Sequence, residues 1–155
     1  MKILFISFSL CCVITLFPAC SQVESSATQQ AELDSLKQTV ELLKPGLGEF
    51  MVQLEFHEER LAKGISEKNF ERAAFEIDEI NEVAEKVEEL KISNDKLKAS
   101  FSKFYKKYLN SPLDSLKASA GRKDITALQN HLITLVTNCN SCHKENGMDF
   151  LKINY

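Results

Sequence analysis

From Leu47 to Cys142 the apolar residues return every three or four positions, and no stretch of useful length alternates them by twos. A spacing near 3.6 gathers side chains on one face of a helix, whereas a half-buried strand needs a spacing of 2. The first stripe is Leu47, Phe50, Leu54, His57 and Leu61, ending at Gly64. The second opens near Asn69, a residue type suited to an N-cap, and runs through Phe70, Ala73, Ile77, Ile80, Ala84 and Val87. The acidic residues between them read as a solvated face and not as a metal site. The third begins around Asp95 with Leu97, Phe101, Phe104 and Tyr108, meets Pro112, and continues through Leu113, Leu116 and Ala120 to Gly121. Pro112 either kinks one helix or starts another, and one kinked helix is the expectation. The fourth starts at Asp124, places Ile125, Leu128, Leu132, Leu135, Cys139 and Cys142 on one stripe, and ends near Gly147.

Four such segments joined by short turns predict an all-α fold, an antiparallel up-down-up-down four-helix bundle. A short extra N-terminal helix precedes it, with Leu33, Leu36, Val40 and Leu43 as its stripe and Pro45–Gly46 as its stop. Before that helix, "SQVESSATQQ" is small and polar and reads as a flexible tether. The first residues, "MKILFISFSLCCVITLFPAC", have one lysine, an uncharged run and a small residue before Cys20. The apolar run, about 15 residues, is short for a bilayer span and suits an export signal. "FPAC" looks like the lipobox of bacterial lipoproteins, which implies cleavage before Cys20 and lipid on its thiol. The expected organisation is a signal peptide over 1–19, a lipid-anchored tether over 20–32 and one domain over 33–155. By the same resemblance the domain lies on the periplasmic side of the cell envelope.

Removing residues 1–19 takes one lysine, leaving 18 basic against 22 acidic residues, a net charge of −4. A mild acidic excess argues against a nucleic-acid partner. Two of the five cysteines, Cys11 and Cys12, leave with the signal, and Cys20 is taken by the anchor. Only Cys139 and Cys142 remain, too few for a disulfide framework.

Those two belong to "CNSCH", Cys139 to His143. A thioredoxin-like pair needs its attacking thiol at a helix N-terminus, where the dipole lowers the thiol pKa, and this pair lies at a C-terminus. Zinc needs a fourth ligand. His131, twelve residues upstream, is about 18 Å away along the helix and cannot supply it locally. Haem attachment uses every residue of the motif: two thiols three apart add to the two vinyl groups of one haem, and the adjacent imidazole meets the iron. The expected cofactor is one haem c, bound covalently through Cys139 and Cys142 with His143 on the metal.

A CxxCH near the C-terminus of a four-helix bundle resembles the cytochrome c-prime and cytochrome b562-like family. The resemblance covers roughly residues 45 to 153. It is sharpest in "PGLGEFMVQLEFHEERLAKG" with "NFERAAFEIDEINE", and in "LVTNCNSCHKENGMDFLKI". It implies His143 as proximal ligand and offers two distal arrangements. In one, a methionine early in the first helix binds iron, the position of Met51; in the other the distal site is open and takes small gases such as nitric oxide or carbon monoxide. Met51 is equally read as a gap-filling core residue. His57 lies six residues, about 9 Å, further along the helix and reads as a hydrogen-bonded histidine. Met148 and the "MDFLKINY" tail read as apolar cover. Leu47, Phe50, Leu54 and Phe70 are candidate pocket walls. The function implied is a monohaem electron carrier between redox partner proteins, tethered to a membrane through Cys20, with a homodimer left open. No acid, base or nucleophile constellation points to an enzyme.

Overall fold

The computed structural model describes residues 23–92 and 94–154. Among them every regular element is a helix, and no helix is long and apolar enough to cross a membrane. The signal peptide and Cys20 lie outside the described residues. The chain divides into two units, residues 1–44 and 45–155.

In the first unit α1 runs over Val23–Leu43. It reaches back through most of the stretch expected to be a tether, because that stretch contains neither Gly nor Pro and is rich in Ala, Glu and Gln. Leu33, Leu36, Val40, Leu42 and Leu43 are exposed, Leu36 at 62% and Leu43 at 78%.

In the second unit α2 (Leu47–Ser66) packs along α3 (Phe70–Glu89), α3 against α5 (Asn110–Gly121), α5 against α6 (Ile125–Glu145), and α6 closes back on α2. The predicted stripes form the core: Leu61, Ile77, Ile80, Leu116, Leu128 and Leu135 are fully buried. The predicted caps are in place, Asn69 accepting from the Arg72 amide and Asp124 from the Ala127 amide, each at 3.0 Å. At the turn between α2 and α3, a Cβ on Gly64 would lie 3.3 Å from the Ala73 amide nitrogen, so the glycine lets the two backbones meet.

The third helical run differs from expectation at its start and within. Its beginning is Phe101, not Asp95. The Lys98 amide, which a helix beginning at Asp95 would turn back to the Asn94 carbonyl, donates instead to the Asn146 side chain. From α4 (Phe101–Phe104) the chain passes through a single π turn, Tyr105–Leu109, into α5 without a break. The Asn110 amide reaches back five residues to the Tyr105 carbonyl. Pro112 lies inside α5, where it deprives the Tyr108 carbonyl of its usual donor. Asn138 of α6 supplies another, its Nδ2 donating to that carbonyl at 2.8 Å.

Four helix ends close alike. At each, one amide reaches back five residues: Asn69 to Gly64, Ile92 to Val87, Asp124 to Ser119 and Met148 to His143. The left-handed residue is Lys68, Lys91 or Lys123 at three of them and Gly147, φ 75°, at the fourth.

Candidate functional site

The last turns of α6 carry Cys139, Cys142 and His143, and the first turns of α2 carry Met51. All four line one cavity of about 360 Å³, a volume ordinary for a small-molecule or cofactor site. The two helix segments farthest apart in the sequence of the bundle therefore meet at one chamber. Its walls are mostly apolar, with Leu47 and Leu54 from α2, Phe101 and Phe104 from α4, and Leu109 from the π turn. Of the expected wall residues, Phe50 is instead buried in the core and Phe70 packs beside it. The tail supplies Met148, Leu151 and Ile153 as cover, while Phe150 is 79% exposed.

Helical spacing of three sets Cys139 and Cys142 on one face, one turn apart. Both are free thiols. Burial pushes the Cys139 thiol well up, and the carboxyl of Glu58 adds to the rise. Burial also raises Cys142, helped by the charge of Glu145. Both shifts run against the lowered thiol pKa that activates a redox pair. Among the described residues no three His, Cys, Asp or Glu side chains gather as a metal cage.

His143 Nδ1 lies 3.0 Å from the Leu151 carbonyl oxygen. A carbonyl only accepts, so Nδ1 carries a proton, and the neutral ring then has its lone pair on Nε2. That is the tautomer in which a histidine binds a metal, oriented by a backbone acceptor. The same residue's carbonyl accepts from the Met148 amide at 2.8 Å, which turns the chain back over the helix end.

His57 does not line the cavity. Its Nδ1 pairs with Glu76 Oε2 at 2.8 Å, and Arg60 Nε donates to Glu76 Oε1 at 2.8 Å. Glu76 is fully buried, contrary to the reading of the α3 acids as solvated. Burial would raise its carboxyl, but the bonds from His57 and Arg60 hold it below the usual carboxylate range.

Glu58 is the cavity residue that sequence reasoning missed. It lines the wall with 1% of its surface exposed. Oε1 accepts from Cys139 Sγ at 3.2 Å, and Oε2 has no hydrogen-bond partner. Burial pushes its pKa up to about 7. The signal available was its position, four residues after Leu54 and three before Leu61. At the mouth, Tyr108 donates to Glu145, and Lys107 pairs with Glu145 at 2.6 Å.

No family model, no curated protein and no solved structure matches the chain.

Proposed function

We propose that the chain is a monohaem c-type cytochrome that carries single electrons between redox partners on the periplasmic side of a bacterial envelope, tethered through a lipid on Cys20. The observation that supports this most is the shared chamber: both motif thiols, His143 and Met51 line one apolar cavity. The donor set fits a covalent haem. The thiols of Cys139 and Cys142 would hold the group covalently, and His143 Nε2 and the Met51 thioether would be the donors to its iron. Haem would supply the one-electron couple. The residues of the chain exclude water through Leu47, Leu54, Phe101 and Phe104, and orient the imidazole through Leu151. We read the ring of packed helices as up-down-up-down, the topology in which the start of α2 and the end of α6 share one end. The carrier acts without acid, base or nucleophile of its own, and its partners are other redox proteins.

The test is the mass and visible spectrum of the mature protein purified from an envelope that attaches haem c. The expected result is one haem per chain, no free thiol at Cys139 or Cys142, sharp bands on reduction and no change under carbon monoxide. Colourless protein with both thiols free overturns the reading. A broad reduced spectrum that shifts under carbon monoxide removes Met51 from the iron and makes the chain a gas-binding haem protein.

A further inference from the structure

Between the two cysteines stand Asn140 and Ser141, positions that haem attachment treats as spacers. Ser141 returns its hydroxyl to the Thr137 carbonyl of its own helix at 2.8 Å. Asn140 does something else. Its Nδ2 donates to the Ile153 carbonyl at 3.0 Å, and its Oδ1 accepts from the Ile153 amide at 2.9 Å. One side-chain amide thus reads both polar groups of one tail residue, as a neighbouring strand would.

The tail needs such a hold. From residue 148 to 154 it has no regular secondary structure. Phe150 is 79% and Leu151 44% exposed, so apolar burial holds it mainly at Ile153. Two residues before Ile153 is Leu151, whose carbonyl takes the His143 Nδ1 proton. Asn140 and His143 are three apart on α6 and so lie on one face, one helical turn apart. The tail is therefore fixed to α6 at two successive points, first at the helix cap on the His143 carbonyl and then at Asn140. The Leu151 carbonyl is suspended between them.

We infer that Asn140 is a positioning residue for His143: by clamping Ile153 it holds the Leu151 carbonyl against Nδ1, and so sets the tautomer and donor strength of the imidazole. This rests on the haem reading above. A histidine that donates Nδ1–H to a carbonyl is a more basic ligand, and partners of this kind change metal binding by about tenfold or more when lost. A more basic ligand favours the oxidised, more positive iron. No alanine, serine or aspartate could reproduce the clamp, since each lacks the amide donor for the Ile153 carbonyl.

The experiment compares the mature haem-loaded protein with Asn140→Ala and, separately, Asn140→Leu, which keeps the bulk of the side chain without its donor and acceptor and leaves the buried Ile153 in place. Haem content and thioether number are read first, then the midpoint potential, then solvent exchange of the His143 Nδ1 proton by NMR in the reduced state. The expected result is a red protein with both thioethers, about a tenfold shift toward the reduced form, which is about 59 mV upward for one electron, and faster exchange of the Nδ1 proton. Both variants give the shift. Mere loosening of the tail would let water reach the haem and move the potential downward, so the direction separates positioning from packing. If Asn140→Ala loads too little haem, Asn140→Leu carries the comparison. Haem-loaded variants with unchanged or lowered potential and a still-protected proton overturn this inference alone. A colourless wild-type protein overturns the haem reading and this inference with it.

Discussion

Glu58 gives the fold a pH dependence of unusual sign. A carboxyl exposed in the unfolded chain titrates near 4.5, and in the folded chain burial raises it to about 7. Between those values the native state keeps a proton that the unfolded state has released, so stability falls as pH rises through the window. The gap is about 2.5 units, and at about 1.36 kcal/mol per unit the loss comes to about 3 kcal/mol, complete by about pH 8. Carboxylates with lowered values act oppositely and below the window. Glu76, held down by its bonds to His57 and Arg60, contributes stability that is lost only as pH falls through its folded value. Denaturant unfolding of the haem-free chain, followed by helical circular dichroism from pH 4.5 to pH 8, isolates the Glu58 effect. With a slope of about 1–3 kcal/mol per molar urea, the midpoint should drop by about 1–3 M across the window. Glu58→Gln keeps the acceptor for Cys139 and cannot ionise, so its midpoint should stay level and exceed that of the parent at pH 8. A parent curve that is flat or rising from pH 5 to 8, or a Gln variant with the parent's slope, refutes the reasoning.

Met51→Ala should abolish the low-spin reduced spectrum while helical content is retained; an unchanged spectrum removes Met51 from the iron. Asn138→Ala should destabilise the bundle by about 1–3 kcal/mol, because it leaves the Tyr108 carbonyl without the donor that Pro112 cannot provide. A loss well below 1 kcal/mol in urea unfolding would mean that water serves that carbonyl as well. Lys123→Gly should stabilise by about 0.5–1 kcal/mol, since Lys123 sits at φ 56° where a side chain is penalised. A decrease in melting temperature would show that the lysine's charge at the helix end outweighs its backbone cost.

The helices of the core were legible because each stripe repeats at three and four for several turns, and because Asn69 and Asp124 are side chains that cap by short local bonds. The structure brings Cys139, Cys142, His143 and Met51, the residues singled out in the sequence, to one cavity. What local pattern could not express was pairing across the fold. Glu76 reads as a surface acid until His57 and Arg60 arrive from α2, and Glu58 until Cys139 arrives from α6. The start of the third helical run was misplaced because its decisive bond, the Lys98 amide to Asn146, spans 48 residues. The π turn did leave a trace: the apolar stripe steps from Tyr108 to Leu113, five positions, where Pro112 drew the explanation instead. The amide clamp of Asn140 left none, since an asparagine between two cysteines looks the same whether it faces water or a backbone.

That five-position step has an angular consequence. A uniform α-helix advances about 100° per residue, so the extra residue held in Tyr105–Leu109 offsets everything upstream of it by about that angle. Phe101 and Phe104 look into the chamber on one bearing, and Leu113 and Leu116 look into the core on another. Deleting a single surface residue there, such as Lys106, would let the run wind evenly and swing both phenylalanines away from the opening they cover. The roof of the chamber thus depends on helical phase, and a one-residue deletion that spares every lining side chain would still uncover it.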